Sequence, residues 1–176
     1  MGKKVIVTAF GKDRAGIVAD LSEMLYVNGC NLEDTRMTIL ADTFASLLLV
    51  SAPEKEDIEQ QLSNGCRRLE MEKGLSAYVR PVSDQEAEHK KPFSTRTIKV
   101  EGLDQTGIVF KVSRYLADNQ INIADLSSSI SSAPESGSDI YSMDINIQVP
   151  EGTSMDALSK GLDKVADDLD VEIMFI

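Results

Sequence analysis

One motif occurs twice in this chain. Gly11-Lys12-Asp13-Arg14-Ala15-Gly16-Ile17-Val18 returns 91 residues later, from Gly11 to Gly102, as Gly102-Leu103-Asp104-Gln105-Thr106-Gly107-Ile108-Val109. The register persists beyond the motif. Asn28, Asn31 and Asp34 become Asn119, Asn122 and Asp125, while Ile17, Val18, Leu21, Met24 and Leu25 become Ile108, Val109, Val112, Tyr115 and Leu116. An ungapped match that keeps both apolar period and turn residues marks a tandem repeat. Each of its two units, of about 80 residues, is large enough to fold around a core of its own.

Each motif follows a short β-branched run (Val5 to Phe10, Thr97 to Glu101) and precedes apolar residues at i, i+1, i+4, i+7 and i+8, one face of a helix. Asp13 and Asp104 stand where an N-cap would satisfy the first free amides. Gly16 and Gly107 carry no side chain, which either admits a ligand or lets helix pack on strand. A strand–turn–helix of this kind offers free N–H groups and partial positive charge to a carboxylate or phosphate. Nucleotide hydrolysis is not supported, because Ile-Val follows both Gly-x-x-x-x-Gly turns where a P-loop has Lys-Ser/Thr. The dinucleotide spacing Gly-x-Gly-x-x-Gly is also absent.

Repeat one reads β-α-β-β-α-β. A strand at 5–10 leads into a helix from about Gly16 to Val27, ended by Asn28-Gly29 with a left-handed cap. A β segment runs from Asn31 to Leu40, turns at 41–43 and returns over Phe44 to Val50. A second helix starting at Pro53-Glu54 places Ile58, Leu62, Cys66 and Leu69 on one face, and Gly74 stops it before a strand at 75–79. Residues 82–95 are polar and read as a linker between units 1–81 and 96–176; His89, the only histidine, falls there as a solvated side chain. Repeat two keeps the order, with six residues added between Asp125 and Tyr141, a polar hairpin tip over Ser131 to Asp139. Thr153 or Ser154 caps its last helix. Tyr141 to Val149 alternates as a half-buried strand, and its solvated Asp144 and Asn146 correspond to Leu47 and Leu49. The third strand of repeat one is thus apolar on both faces, so its extra face should be covered by the linker, the other repeat or a second subunit.

The chain is acidic, with a net charge of −11 over 176 residues. Residues 1–81 hold 10 basic and 12 acidic groups, residues 96–176 hold 6 and 14. Such a surface repels phosphate backbones, and no basic stripe offsets it, so direct nucleic-acid binding is not expected. No apolar run approaches a membrane span and Met1-Gly2-Lys3-Lys4 leads straight into a strand, which predicts a cytoplasmic protein without membrane contact. Cys30 and Cys66 match no metal or redox spacing and read as free thiols. No metal or cofactor is implied.

Asp-Arg-x-Gly-Ile-Val (Asp13 to Val18) followed by Gly-x-Asn-Leu-x-Asp (Gly29 to Asp34) resembles ACT domains, and Asp104 to Val109 with Ile121 to Asp125 repeats the resemblance. It covers both repeats, essentially the whole chain except the linker. It implies an α+β fold of two tandem ferredoxin-like βαββαβ units, antiparallel sheets with helices on one face. Two such units without a catalytic or DNA-binding domain are similar to the glycine cleavage system transcriptional repressor family; similar turns occur in regulatory segments of formyltetrahydrofolate deformylase and phosphoserine phosphatase. The resemblance implies a non-enzymatic sensor of an amino acid (glycine or similar) that acts on a protein partner such as a transcriptional activator, with a homodimer among its assemblies. By position, the contacts would come from Asp13, Arg14, Ala15, Gly16, Ile17, Val18 and Asn31, and from Asp104, Gln105, Thr106, Gly107, Ile108, Val109 and Asn122, where the loop of one unit faces another unit. Helix-start amides would take the carboxylate, and an Asn or Asp oxygen the ammonium group. Both asparagines also read as plain turn residues. Repeat two departs from the pattern at Gln105-Thr106 and Gln120, so the copies need not bind equally.

Two other classes compete. An acylphosphatase-like enzyme would use an Arg in the first loop and an Asn further on, but Arg14 precedes Gly16, whereas that family's arginine follows its glycine-rich turn, and repeat two has Gln105. An assembly module that binds nothing small is the second alternative, and nothing in the sequence excludes it.

Overall fold

The computed structural model describes residues 2–82, 92–132 and 137–176. The chain divides into two compact units, Met1–His89 and Lys90–Ile176. The first contains β1 (Lys3–Lys12), α1 (Ile17–Val27), β2 (Asn31–Leu40), β3 (Thr43–Ala52), α2 (Ile58–Lys73) and β4 (Leu75–Pro81). The second contains β5 (Phe93–Leu103), α3 (Ile108–Asp118), β6 (Asn122–Ser132), β7 (Asp139–Pro150), α4 (Met155–Leu169) and β8 (Val171–Phe175). Each unit is βαββαβ with an antiparallel four-stranded sheet, ordered β2-β3-β1-β4 and β6-β7-β5-β8.

Alternation along the strands decides which face each helix pair covers. In the first unit Val5, Val7, Ala9, Phe44, Leu48 and Val50 meet Ile17, Leu21, Leu25, Ile58, Leu62 and Cys66 in one core. In the second, Ile98, Val100, Met143, Ile145 and Ile147 meet Ile108, Val112, Leu116, Leu158 and Leu162 in another. Both cysteines are free, and burial pushes the Cys66 thiol up to about 11.

Several sequence expectations change. Asp13 and Asp104 are not N-caps. The N-cap residues are Gly16 and Gly107, at φ 89° and 100°, and neither helix has a side-chain cap bond. The turn runs three residues longer because the two aspartate amides are drawn elsewhere: Asp13 N–H donates to Asp42 O (2.7 Å) and Asp104 N–H to Asp139 O (2.9 Å), tying each turn to the following hairpin. The glycines are required by backbone hand, not by close approach. A Cβ at Gly16 would meet only Arg14 Nη1, at 3.7 Å, and one at Gly107 would meet nothing within 4 Å. Helix α2 starts at Ile58 rather than at Pro53. The last residues of the stretch read as a linker, Phe93 to Thr95, belong to β5 and pair with Pro150 to Gln148. Residues 83–91 of that stretch, His89 among them, and residues 133–136 of the expected hairpin tip lie outside the described residues. No described helix is long and apolar enough to cross a membrane.

The left-handed position after α1 is Gly29 (φ 69°), and its counterpart after α3 is Gln120 (φ 60°). A side chain pays roughly 1–2 kcal/mol there, partly offset by its lower freedom when unfolded. Gln120→Gly is therefore expected to stabilise the second unit by roughly 0.5–1 kcal/mol, read as a higher urea midpoint at unchanged slope.

Candidate functional site

In the first unit the β1–α1 turn opens onto a groove between α1 and the edge strand β2. Asp13, Arg14, Gly16, Ile17, Val18, Ala19, Met37 and Phe44 line an open cleft of about 360 Å³. An inner recess shares Val18, Met37 and Phe44 with it and adds Leu21, Leu25, Thr35, Ser46 and Leu48. The groove exists because β2 outruns the helix layer: all ten of its residues are exposed.

Two features of the groove are polar and unsatisfied. The first intrahelical bond of α1 runs from Asp20 N–H to Gly16 O (2.9 Å), and no side chain caps the amides before it. These amides carry the positive end of the helix dipole. Ser46 is 5% exposed, and its Oγ is the only buried side-chain N or O atom without a hydrogen-bond partner among the described residues. An orphan hydroxyl in a native interior costs about 1–3 kcal/mol, so it calls for an explanation such as a bound group.

Arg14 braces the turn. It donates to Asp20 Oδ2 (2.6 Å) and to Ala15 O (3.1 Å), and Lys73 Nζ lies 3.8 Å from Asp20 Oδ1. The Arg14 hydrogen bond, helped by Lys73 and opposed by desolvation, holds the Asp20 carboxyl below the usual aspartate range. A carboxyl depressed on folding adds stability above its unfolded pKa, near 3.8, and that stability is lost as pH falls below it. Asp20→Asn should thus lower stability at pH 7 and converge with the parent protein near pH 2, as checked by urea titrations at both pH values.

The predicted contact residues separate. Asp13, Arg14, Gly16, Ile17 and Val18 line the cleft, whereas Ala15 only lends its carbonyl to Arg14. Asn31 is not with them. It pairs with Ser51, while Lys12 at the turn pairs with Thr43. The two partners are eight residues apart along β3, roughly 26 Å at the usual strand rise, so Asn31 cannot join the turn of its own unit. The reason is topological: β2 starts at the end of the sheet where β1 starts, and the turn is at the other end.

In the second unit the start of α3 is equally uncapped, but the side chains of Gln105 and Asn122 are engaged. Gln105 Nε2 donates to Leu169 O, and Asn122 Nδ2 donates to Gln148 Oε1 (3.0 Å). Asn122 is likewise remote from Asp104, Thr106, Gly107, Ile108 and Val109, since it pairs at Gln148 and Leu103 pairs at Ile140. The counterpart of Ser46 is Met143, fully buried, whose sulfur accepts from Tyr141 Oη at 3.6 Å. Sequence reading missed Ser46, Met37 and Phe44. The one signal was the serine at a core-facing position of an otherwise apolar strand.

A repeated βαββαβ sandwich, with an open groove at an uncapped helix start in its first copy, is a tandem of two ferredoxin-like units. The ACT domain family matches residues 3–78. The chain is 32% identical over 87 residues to the UPF0237 protein MK1213 of Methanopyrus kandleri, covering 49% of this chain and 97% of that one. It belongs to the ACT-domain family, as a tandem of two such units. It is also 38% identical over 47 residues to the glycine cleavage system transcriptional repressor of Escherichia coli, covering 27% of this chain and 25% of that one. An unknown protein from Galdieria sulphuraria superposes with a TM-score of 0.82 at 28% identity, over 99% of this chain and 98% of that one.

Proposed function

We propose that this protein is a non-enzymatic sensor that takes a free amino acid into the α1–β2 groove of the first unit and acts on a protein partner. The observation that carries the reading is the orphan Ser46 hydroxyl in a groove whose mouth holds the uncapped amides of α1. The ligand carboxylate meets those amides. Asp13, at the rim, meets the ammonium group. The side chain enters between Met37 and Phe44, and Ser46 pairs with whatever polar atom reaches it.

The second unit serves the architecture, since Met143 occupies the position of the orphan hydroxyl. The similarity to a glycine cleavage system transcriptional repressor supports a role in transcriptional regulation, with glycine the first amino acid to try. The net charge of −11 argues for a protein target, such as a transcriptional activator, over DNA. Binding would shift a conformational population by no more than its differential affinity for the two states.

Thermal melts against each of the twenty amino acids test the proposal. An amino acid at 100 times its dissociation constant is expected to stabilise the first unit by about 2.7 kcal/mol. A flat response to all twenty would reject the sensor and leave an assembly role.

A further inference from the structure

Resting on the sensor reading of the first unit's groove, we infer that its ligand carries a short hydroxylated side chain, as threonine and serine do, and is not glycine. The inner recess sets the size. It holds about 30 Å³. One water needs about 10–15 Å³ of such space, so the recess takes about two or three non-hydrogen atoms. Glycine would leave it empty, and an aromatic or long side chain would not fit.

The walls set the polarity. Seven of the ten lining residues are apolar, Leu21, Leu25, Phe44 and Leu48 among them, and none is charged. A carboxylate or ammonium group entering here would lose its hydration without gaining a counter-charge. Yet one group in the recess lacks a partner. Ser46 is 5% exposed and its Oγ has no hydrogen bond. Ser22 and Thr35, the other hydroxyls of the lining, are exposed, so water serves them. A water lodged beside Ser46 would be a poor tenant, since it needs two to four polar partners and the apolar walls offer none.

That combination selects a hydroxyl. A hydroxyl both donates and accepts, so one on the ligand satisfies Ser46 and is itself satisfied. A carboxamide would bring two polar atoms to the same single partner and leave one unpaired. The methyl group of threonine adds contact with the apolar wall.

The second unit shows that the fold has no need of a serine at this position. There Phe44 and Ser46 become Tyr141 and Met143. Met143 is fully buried, and its sulfur accepts from Tyr141 Oη at 3.6 Å. The methionine closes in the second copy what the serine leaves open in the first, which makes ligand selection the role of Ser46.

The test is isothermal titration calorimetry of the full chain and of Ser46→Ala with glycine, valine, serine and threonine. Threonine and valine share a shape and differ by the hydroxyl. Serine or threonine should bind the parent protein most tightly of the four, with threonine roughly fivefold or more tighter than valine. In Ser46→Ala the threonine hydroxyl becomes the unpaired group, so the order should reverse, with valine roughly fivefold or more tighter. If Ser46→Ala does not fold, the order in the parent protein decides. Tightest binding of glycine or valine by the parent protein would overturn the inference and keep the sensor. An order unchanged in a folded Ser46→Ala would do the same, as would binding of some other amino acid with none of these four. Silence from all twenty rejects the sensor itself, and the inference with it.

Discussion

Ser46→Met is expected to abolish the ligand-dependent stabilisation of the first unit while leaving that unit folded. The second unit carries a methionine at this position, fully buried, so the architecture accommodates it. In the first unit the longer side chain would occupy the recess lined by Leu21, Leu25, Met37 and Leu48 and close the groove from inside. Overpacking costs about 1–3 kcal/mol, and removing the orphan hydroxyl returns about 1–3 kcal/mol. The ligand-free melting temperature should therefore move little, while the gain of about 2.7 kcal/mol at 100 times the dissociation constant disappears. Ser46→Ala separates the two contributions. It removes the hydroxyl without filling the recess, so it should raise ligand-free stability by roughly 1 kcal/mol and weaken binding by about one hydrogen bond, 0.5–1.5 kcal/mol. A full ligand shift surviving in Ser46→Met would move the site out of this groove.

Leu62→Ala should cost about 2–5 kcal/mol, the range for a leucine emptied from a core that relaxes only partly. Leu62 is fully buried in the first core, and Leu162 is buried in the second at 1% exposure. The two cores share no residue. Each substitution should therefore lower the unfolding transition of its own unit, and a single melt should split in two. This pair also locates the ligand. In Leu62→Ala the responding amino acid should raise the lower transition, which belongs to the first unit. In Leu162→Ala the same amino acid should raise the upper one. Calorimetry with and without that amino acid reads both. Equal lowering of both transitions by either substitution would show that the units unfold as one.

Most of the fold was legible in the chain because it rests on local periodicity. The alternation at Tyr141, Met143, Ile145, Ile147 and Val149 and the helical spacing of Ile58, Leu62, Cys66 and Leu69 named core residues that the structure buries or half-buries. Such patterns work because burial on one face of a strand or helix is written at fixed intervals. The repeat offset added the second unit at no further cost in argument. Errors fell at element ends. Asp13 looked like a cap because aspartates cap helices, but its amide bond to Asp42 lies across the sheet, and no local rule sees that far.

The candidate site was legible only in part, and the boundary is physical. The sequence by itself determined the β1–α1 turn and the difference between the copies at Arg14 and Gln105, since both are set within a few residues, whereas the structure showed that no side chain caps the turn's amides. Only the tertiary structure decided that Asn31 stands at the far end of the sheet from that turn, because strand direction in a βαββαβ unit follows from pairing and not from composition. Only the structure, too, brought Ser46, Met37 and Phe44 beneath the start of α1. They lie on two strands, and a hydroxyl becomes an orphan only when packing removes water from around it.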